Sequence, residues 1–396
     1  MTAEKAPAWL TTYRLPIVLF FALAAWAVLA WLQPVIDYEA NPLFDGNQYA
    51  KRYAQMAGEA SVARPDFPFH SRVLVPFLAA LIPADMLVSF ALLNLLFVVL
   101  GVLVLDKLWA SLEIPPVMIF VAHGWWLLHW SGALKLNLFD PITVDLPIYA
   151  LQGLLIWFVV RKDGKHLLWL APIATAQKES FIAFLLLFLL LSLFYQWRGW
   201  EGALSWKWLA GALVLALLTK YAINYFSPAL EEGGSSLRTL LYHGKVTLQN
   251  PFDLLRWLAA ILSASGAFLL LAGEAWHALK KRDYLLDMLL LGTLCYWAFG
   301  ILAGRDMLRI IFLGMPFWLT LFLLLMRKQP VQTILLALIL SVPFMKLRGL
   351  IPDPSLEPIA WSSWYPSRAE PAMVLAWIGY FVLCGLVLRF REKWMG

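Results

Sequence analysis

Charged residues, cysteines and long polar stretches are all scarce in this 396-residue chain. Only 14% of its residues are charged, whereas 62% are hydrophobic. No polar stretch reaches the roughly 50 residues that a small soluble domain needs, which argues against a separate soluble domain. The two cysteines, Cys295 and Cys384, both fall in apolar segments, so we expect neither a disulfide nor a metal site from them.

Apolar runs are abundant instead, and each is about 17–25 residues long, enough to cross a bilayer core of roughly 30 Å. The mean hydropathy is +0.72. The sequence therefore predicts an all-α polytopic membrane protein, a single integral membrane domain over 1–396 with about 11–12 transmembrane or half-membrane helices. We expect the spans near 14–33, 86–106, 114–131, 143–161, 180–196, 206–222, 255–276, 285–303, 309–326, 331–346 and 373–391, with 167–177 a half-length helix.

Short basic connections predict the orientation of these spans, since cytoplasmic loops carry the excess of Lys and Arg. The connections "RKDGK", "KKR" and "RFREK" fall on one side of the predicted membrane, together with the N-terminus. We expect that side to be the cytoplasm of a bacterial inner membrane, with both termini there. The first span is too long for a signal peptide and has no cleavage pattern after it. The long loops 34–85, 223–254 and 347–372 then lie outside.

The first outer loop contains "LFDGNQYAKRYAQMA", which predicts a short amphipathic helix. Asp45 is placed to cap it by accepting backbone N–H bonds. Tyr49 and Tyr53 recur on one face, while Lys51 and Arg52 take the other, a pattern typical of a helix lying on a membrane. The alternative is an ordinary capped surface helix.

The stretch that follows, "RPDFPFHSRVLVPFLAALIP", is broken by four prolines. His70 and Arg72 stand where its apolar part begins. Arg72 can simply extend to the interface. A proline-broken apolar segment is also typical of a re-entrant element, which is tolerated only where it is buried in protein or lines a cavity. On that interpretation His70 and Arg72 belong to a pocket.

Two further acidic sites lie in or beside apolar runs. In "NLFDPITVDLP", Asp140 is predicted to start a span with Pro141 at its first helical position. Asp145 then falls about one turn into the membrane, where a carboxylate is expensive and indicates function by default. In "ATAQKESF", Lys178 and Glu179 are adjacent, so each is expected to find a partner elsewhere, or to cap the turn.

The last polar group is "GRDMLR", in which Arg305 and Arg309 are four residues apart and predicted to share a helix face. Two guanidiniums on one face suit a phosphate, which accepts bidentate hydrogen bonds. The alternative is an ion pair with Asp306 and extension to the interface.

Together these features resemble the GT-C superfamily of integral membrane glycosyltransferases. The stretches "FDGNQYAKRYAQMA" and "FHSRVLVPFLAAL" are similar to uncharacterised bacterial members, which carry a D-G-x-x-Y stretch followed by R-x-L-x-P. The resemblance covers the topology of most of the chain. It implies an inverting transfer of a sugar from a polyprenyl-phosphate donor at the outer membrane face. The sugar and the acceptor stay open.

The resemblance also implies roles for the residues singled out above. Asp45 corresponds to the catalytic acidic residue of the first loop, Asp140 and Asp145 to the second acidic motif that supports an acceptor or a metal, and Arg305 or Arg309 to the phosphate ligand. Lys178 and Glu179 would shape the pocket with His70 and Arg72. A divalent cation such as Mg²⁺ or Mn²⁺ is a possible cofactor, and the partners are the lipid-linked sugar and membrane lipid rather than nucleic acid.

Two other functions remain open from the sequence. A transporter or flippase of a lipid-linked sugar would explain an intramembrane Asp145, but it predicts matching polar features in two halves and near the midplane. We see no internal repeat and few buried charges in the cytoplasmic half. A non-catalytic scaffold of a glycan-assembly complex would need no charged residue below the interface.

Overall fold

The chain forms a bundle of α-helices connected by short segments. A computed structural model describes residues 8–42, 44–59, 62–230, 236–277, 283–304, 306–345 and 370–391. In that part of the chain there are 18 α-helices and no strands. Six of them are long and apolar enough to cross a membrane, or up to eight spans if each of two bent helix pairs counts as one. The predicted all-α polytopic fold is confirmed.

The helices, in chain order, are α1 (Ala8–Leu32), α2 (Asp45–Met56), α3 (Leu74–Ala80), α4 (Met86–Ser111), α5 (Pro116–Leu128), α6 (Lys135–Phe139), α7 (Pro147–Val160), α8 (Leu167–Gln177), α9 (Ser180–Trp197), α10 (Trp206–Phe226), α11 (Ser236–Gln249), α12 (Pro251–Ser265), α13 (Phe268–His277), α14 (Tyr284–Leu302), α15 (Met307–Leu313), α16 (Met315–Met326), α17 (Val331–Ser341) and α18 (Pro371–Arg389). Short 3-10 helices lie at Phe69–Ser71, Gly164–His166 and Val342–Met345.

Two predicted spans are bent helix pairs. The run 255–276 is α12 and α13, which meet at 90°, and the run 309–326 is α15 and α16, which meet at 63°. At the first bend Gly266 has φ +55°, and a Cβ there would lie 2.5 Å from Ser341 Oγ, so a side chain has no room. The prediction of single continuous spans was wrong here because hydropathy is unbroken across both bends.

The predicted half-length helix is confirmed as α8, which ends at Gln177 before α9 begins at Ser180. Much of the predicted outer loop 223–254 is helical, since it contains the end of α10, the whole of α11 and the start of α12. The predicted loop 347–372 lies mostly outside the described residues, and the orientation of the bundle across a membrane stays a prediction.

The connections at one end of the bundle are tied to one another by backbone hydrogen bonds. The N–H of Ile36 donates to Phe139 O at 2.8 Å, joining the end of α1 to the end of α6. The N–H of Val73 donates to Ala176 O at 3.0 Å, joining the first loop to α8. We call this the site end, because the polar residues singled out from the sequence lie there.

Candidate functional site

The connection 140–146 between α6 and α7 is held in place by three polar side chains. The hydroxyl of Tyr38 donates to Asp140 Oδ1 at 2.7 Å and accepts the N–H of Ile142 at 3.0 Å. Asn94 and Gln177 donate to carbonyls of the same connection. Since residues 140–146 are all buried and irregular, their backbone needs such partners for its own polar groups.

Asp140 therefore does not start a span, and that prediction was wrong. It follows the last residue of α6, whereas α7 begins at Pro147. Asp140 is buried, and burial raises the pKa of its carboxyl group to about 7, against the hydrogen bond from Tyr38 and the charge of Arg309.

Asp145 is the central carboxylate of the site. Its Oδ2 accepts the Nε–H of Arg309 at 2.5 Å, and its Oδ1 accepts from Lys178 Nζ at 3.0 Å. The side chain is only 5% exposed. Burial opposes ionisation of this carboxyl group, but Arg309 and Lys178 hold its pKa below the usual range. Asp145 lies two residues before α7, so the prediction that it lies one turn inside a span was wrong. It is buried nevertheless.

Asp45 lies on the other side of the same guanidinium. Arg309 Nη1 donates to Asp45 Oδ2 at 3.0 Å and is 3.8 Å from Asp306 Oδ2. The Asp45 side chain is 32% exposed, so the network opens outward at this residue. We call the set of Asp45, Asp145, Lys178, Asp306 and Arg309 the Arg309 network.

The predicted capping role of Asp45 was wrong. Phe44 occupies the N-cap position of α2, Asp45 is its first helical residue, and no side chain caps the helix there. Its carboxylate is engaged with Arg309 instead. The next residue, Gly46, packs against the Tyr38 ring, and a Cβ there would overlap the ring and lie 2.9 Å from Asp140 Oδ1. Glycine is thus what allows α2 to approach the 140–146 connection this closely.

Lys178 and Glu179 do reach separate partners, as predicted. Lys178 binds Asp145, whereas Glu179 Oε1 is 3.6 Å from Arg72 Nη2. Arg72 also donates to the hydroxyl of the buried Tyr49 at 2.7 Å. Arg72 and Glu179 thus lie beside the Arg309 network rather than within it.

His70 is also buried at the site end and contacts the end of α10. Its Nε2 is 3.2 Å from Asn224 Oδ1. The carbonyl of His70 accepts from Arg52, which is buried and not solvent-facing as its position on α2 had predicted. The amphipathic pattern of α2 predicts a polar face for Arg52 because it contains no information about the first loop and α10, which cover that face.

The structure also brings in residues that the sequence did not single out. Tyr38 orders the 140–146 connection, and Asn224 comes from a helix that carried no motif. The buried Tyr49 had been noted only as an apolar position. No local pattern distinguishes these side chains, since each acts through a partner far along the chain.

Arg305, predicted to bind phosphate with Arg309, lies outside the residues that the structure describes. The helix that carries Arg309, α15, begins at Met307. A helix face shared by positions 305 and 309 therefore stays a prediction. As for a metal, no group of three or more His, Cys, Asp or Glu side chains in the described ranges is arranged to hold one. Asp45, Asp145 and Asp306 all face the Arg309 guanidinium, so this set of carboxylates fits a guanidinium at its centre.

A second buried ion pair lies toward the other end of the bundle, where few buried charges were expected. Arg14 of α1 donates to both oxygens of Asp106 of α4, at 2.7 and 2.9 Å. The neighbouring His123 packs against the Trp109 ring, 4.9 Å between ring centroids, and neither of its nitrogens has a hydrogen-bond partner in the described part of the chain.

Comparison of the chain with protein-family models, with curated proteins and with solved structures gives no match.

Proposed function

We propose that this protein is an inverting glycosyltransferase of the GT-C type, which moves a sugar from a polyprenyl-phosphate donor to an acceptor at the site end of the bundle. The observation that carries this proposal is the asymmetry of the Arg309 network. Asp145 is buried between Arg309 and Lys178, whereas Asp45 is one-third exposed and is held by the same arginine. A carboxylate held in place and open on one side is what a general base requires.

The chemistry needs one such base. Asp45 takes the proton of the acceptor hydroxyl as that oxygen forms a bond to the anomeric carbon of the sugar. The bond from that carbon to the phosphate oxygen breaks, and its electron pair leaves with the polyprenyl phosphate. No covalent enzyme intermediate forms, so the anomeric configuration inverts. A positioned general base contributes roughly 10²–10⁴-fold to such a step.

The other members of the network position Asp45. Arg309 donates to Asp45 through Nη1 and to Asp145 through Nε, so its plane is fixed at two points. Lys178 fixes the far oxygen of Asp145. A misplacement of about 1 Å at a reacting group can cost about 10²-fold in rate, which gives these buried contacts a role in catalysis without contact with the substrate.

The contacts of Arg309 favour this positioning role over phosphate binding. Three carboxylates already face its guanidinium. A phosphate placed there would add another anion among them, and like charges at such separations repel strongly in a poorly solvated site. The donor phosphate is better accommodated elsewhere at the site end.

The test is turnover by the purified protein in lipid nanodiscs, supplied with a panel of short-chain polyprenyl-phosphate sugars. Release of polyprenyl phosphate is measured, because it reports transfer to any acceptor, including water. We expect Asp45→Asn to lower turnover about 10²–10⁴-fold. The matched control is Glu59→Gln, an acid-to-amide change at an exposed residue just beyond the other end of α2, which should leave turnover unchanged.

Wild-type turnover by Asp45→Asn would refute Asp45 as the base. Absence of donor consumption by the wild-type protein with every sugar of the panel would refute the transferase itself.

A transporter of the same lipid-linked sugar is the second candidate, and the Arg14–Asp106 pair beside His123 is the observation that favours it. These groups are ionisable or polar side chains within apolar helices, away from the site end. Ionisable residues in membrane-spanning helices are typical of transport pathways. Movement of the donor across proteoliposomes without release of polyprenyl phosphate would support transport and contradict the transferase.

A further inference from the structure

A second group of polar side chains at the site end has an excess of basic residues, whereas the Arg309 network has more carboxylates than cations. The second group consists of Arg52 of α2, His70 and Arg72 of the first loop, and Lys220 of α10, which we call the basic cluster. Arg52 reaches the carbonyls of His70 and Ser227, so it joins the first loop to the end of α10. Lys220 and Arg52 both lie close enough to His70 to lower its pKa, an effect that adds to that of burial.

The basic cluster is short of carboxylates. Arg72 has Glu179 at 3.6 Å, whereas neither Arg52 nor Lys220 has a carboxylate within salt-bridge distance in the described ranges. Burial lowers the pKa of Arg52 to about 10, so its side chain remains a cation at neutral pH. The cluster therefore has three basic side chains and a single carboxylate, which contacts only Arg72, and an anion is the ligand that would balance the excess charge.

Several hydrogen-bonding atoms of the cluster have no partner. The Nε atoms of Arg52 and Arg72 and the Nδ1 atom of His70 are buried without a hydrogen bond in the part of the chain that the structure describes. Arg52 as a whole is only 4% exposed. Buried polar atoms are normally satisfied, and an orphaned arginine N–H is a donor that a phosphoryl oxygen satisfies well.

The helix that carries Lys220 indicates where such an anion comes from. From Lys220 onward α10 exposes aromatic side chains, Tyr221 and Tyr225, with their rings 6.5 Å apart and nearly parallel. On the preceding turn it exposes Leu217 and Leu218. Aromatic residues at the end of an apolar helix mark the depth of the lipid headgroups. Lys220 therefore lies at headgroup depth, with an apolar helix face leading away from it.

We propose that the basic cluster binds the phosphate of a membrane lipid whose hydrocarbon chain lies along the exposed face of α10. This inference rests on the proposed function in one respect only, namely that the lipid is the sugar donor. The phosphate then sits beside, and not inside, the Arg309 network. Tyr49 links the two groups, since it accepts from Arg72 and lies near enough to Asp45 and Asp145 for their charges to affect its ionisation.

The experiment measures binding separately from turnover. The protein in phosphatidylcholine nanodiscs is titrated with a short-chain polyprenyl phosphate, with the uncharged polyprenol and with inorganic phosphate, and bound ligand is read by native mass spectrometry. We expect Lys220→Gln to weaken binding of the polyprenyl phosphate about tenfold, since a hydrogen bond to a charged group is worth about 1.5–3 kcal/mol and Lys220 is half-buried. Lys220→Arg should restore most of it.

The matched control is Lys207→Gln, the same change at an exposed residue at the opposite end of the same helix. Arg52→Gln tests the buried side of the cluster and is assessed only after its unfolding midpoint is shown to match the wild type. Equal binding by Lys220→Gln and Lys207→Gln, or equal binding of polyprenol and polyprenyl phosphate, would overturn the phosphate site. Binding of inorganic phosphate as tight as that of the lipid would show that the hydrocarbon chain contributes nothing, and would overturn its placement along α10.

The two proposals fail in different ways. If the wild-type protein consumes donor but Lys220→Gln leaves both the KM and the binding unchanged, the phosphate site is wrong and the transferase stands. If binding depends on Lys220 but no donor is consumed, the transferase is wrong and the lipid site stands. Asp45→Asn should lower kcat while leaving binding of polyprenyl phosphate within about threefold of the wild type.

Discussion

Arg309 and Arg14 are both arginines that lie against buried aspartates, and they differ in how the charge is shared. Arg14 gives both of its hydrogen bonds to Asp106, which is itself 2% exposed, so that pair is complete. Arg309 is divided between Asp145 and Asp45, with Asp306 further away, and its network ends at a carboxylate open to the outside. A buried ion pair is by itself weak evidence of either stability or function.

The difference between the closed pair and the open network indicates that a carboxylate oxygen left free at the edge is the functional feature. In the closed pair both oxygens of Asp106 are engaged by Arg14, so the pair leaves no acceptor for another molecule. A network with an exposed carboxylate at its edge leaves one acceptor oxygen for another molecule. Asp45 Oδ1 accepts no hydrogen bond in the described part of the chain, whereas both oxygens of Asp106 are engaged.

The largest expected difference between the two sites is the loss of stability caused by a substitution at Asp106. We expect Asp106→Asn to lower the free energy of unfolding by about 3 kcal/mol, since removing one partner of a buried pair typically costs about 3–5 kcal/mol and Arg14 near the helix end can turn partly outward. Turnover at a temperature where the variant is folded should stay within about threefold of the wild type. The midpoint of unfolding is followed by the fluorescence of the 21 tryptophans.

Loss of turnover without loss of stability in Asp106→Asn would place this pair in the functional pathway. In that case a closed ion pair would be as important for turnover as the Arg309 network, and the distinction between them would fail.

The next effect is geometric and compares the two arginines directly. Arg309→Lys keeps the charge but loses the fixed two-point contact with Asp45 and Asp145. We expect kcat to fall about 10²-fold, because Asp45 is no longer held in place. Arg14→Lys makes the same chemical change in the closed pair and should leave kcat nearly unchanged. Initial rates of polyprenyl phosphate release at saturating donor decide between them. Equal losses of kcat in the two variants would remove the distinction between a network and a pair.

The sequence predicts the fold well where the evidence is repeated along the chain. Apolar runs place most of the helices, and the break at "TAQKES" places the half-length helix α8. The bends at the α12–α13 and α15–α16 junctions escape it, because hydropathy reports burial in lipid and not direction. Only the packing at Gly266, which leaves no space for a side chain, shows why the first of these bends is accommodated.

The sequence predicts which residues form the candidate site, but not which of them contact each other. Asp45, Asp145, Lys178 and Arg309 were chosen because carboxylates and cations are rare in such a chain, and they meet. Local rules then assigned Asp45 and Asp140 to helix caps, since both precede helix-forming sequence. Arg309 is 264 positions from Asp45, so the local sequence gives no sign of this partner. In the structure the Asp45 carboxylate binds Arg309 instead of capping α2.

The last prediction concerns Asp140, the buried carboxyl group beside the network. Burial raises its pKa from 3.8 to about 7 in the folded protein, so the folded state holds this proton more tightly than the unfolded state does. The contribution of Asp140 to stability is thus fully present below about pH 4, falls as the pH rises toward 7, and is constant above that value. We expect the wild-type unfolding midpoint to decline more steeply between pH 5 and 7 than that of Asp140→Asn, in which the amide cannot titrate. The matched control is Asp37→Asn, the same acid-to-amide change at an exposed residue between α1 and α2. Parallel wild-type and Asp140→Asn profiles would mean that Asp140 is ionised throughout this range, and that Tyr38 and Arg309 together outweigh its burial.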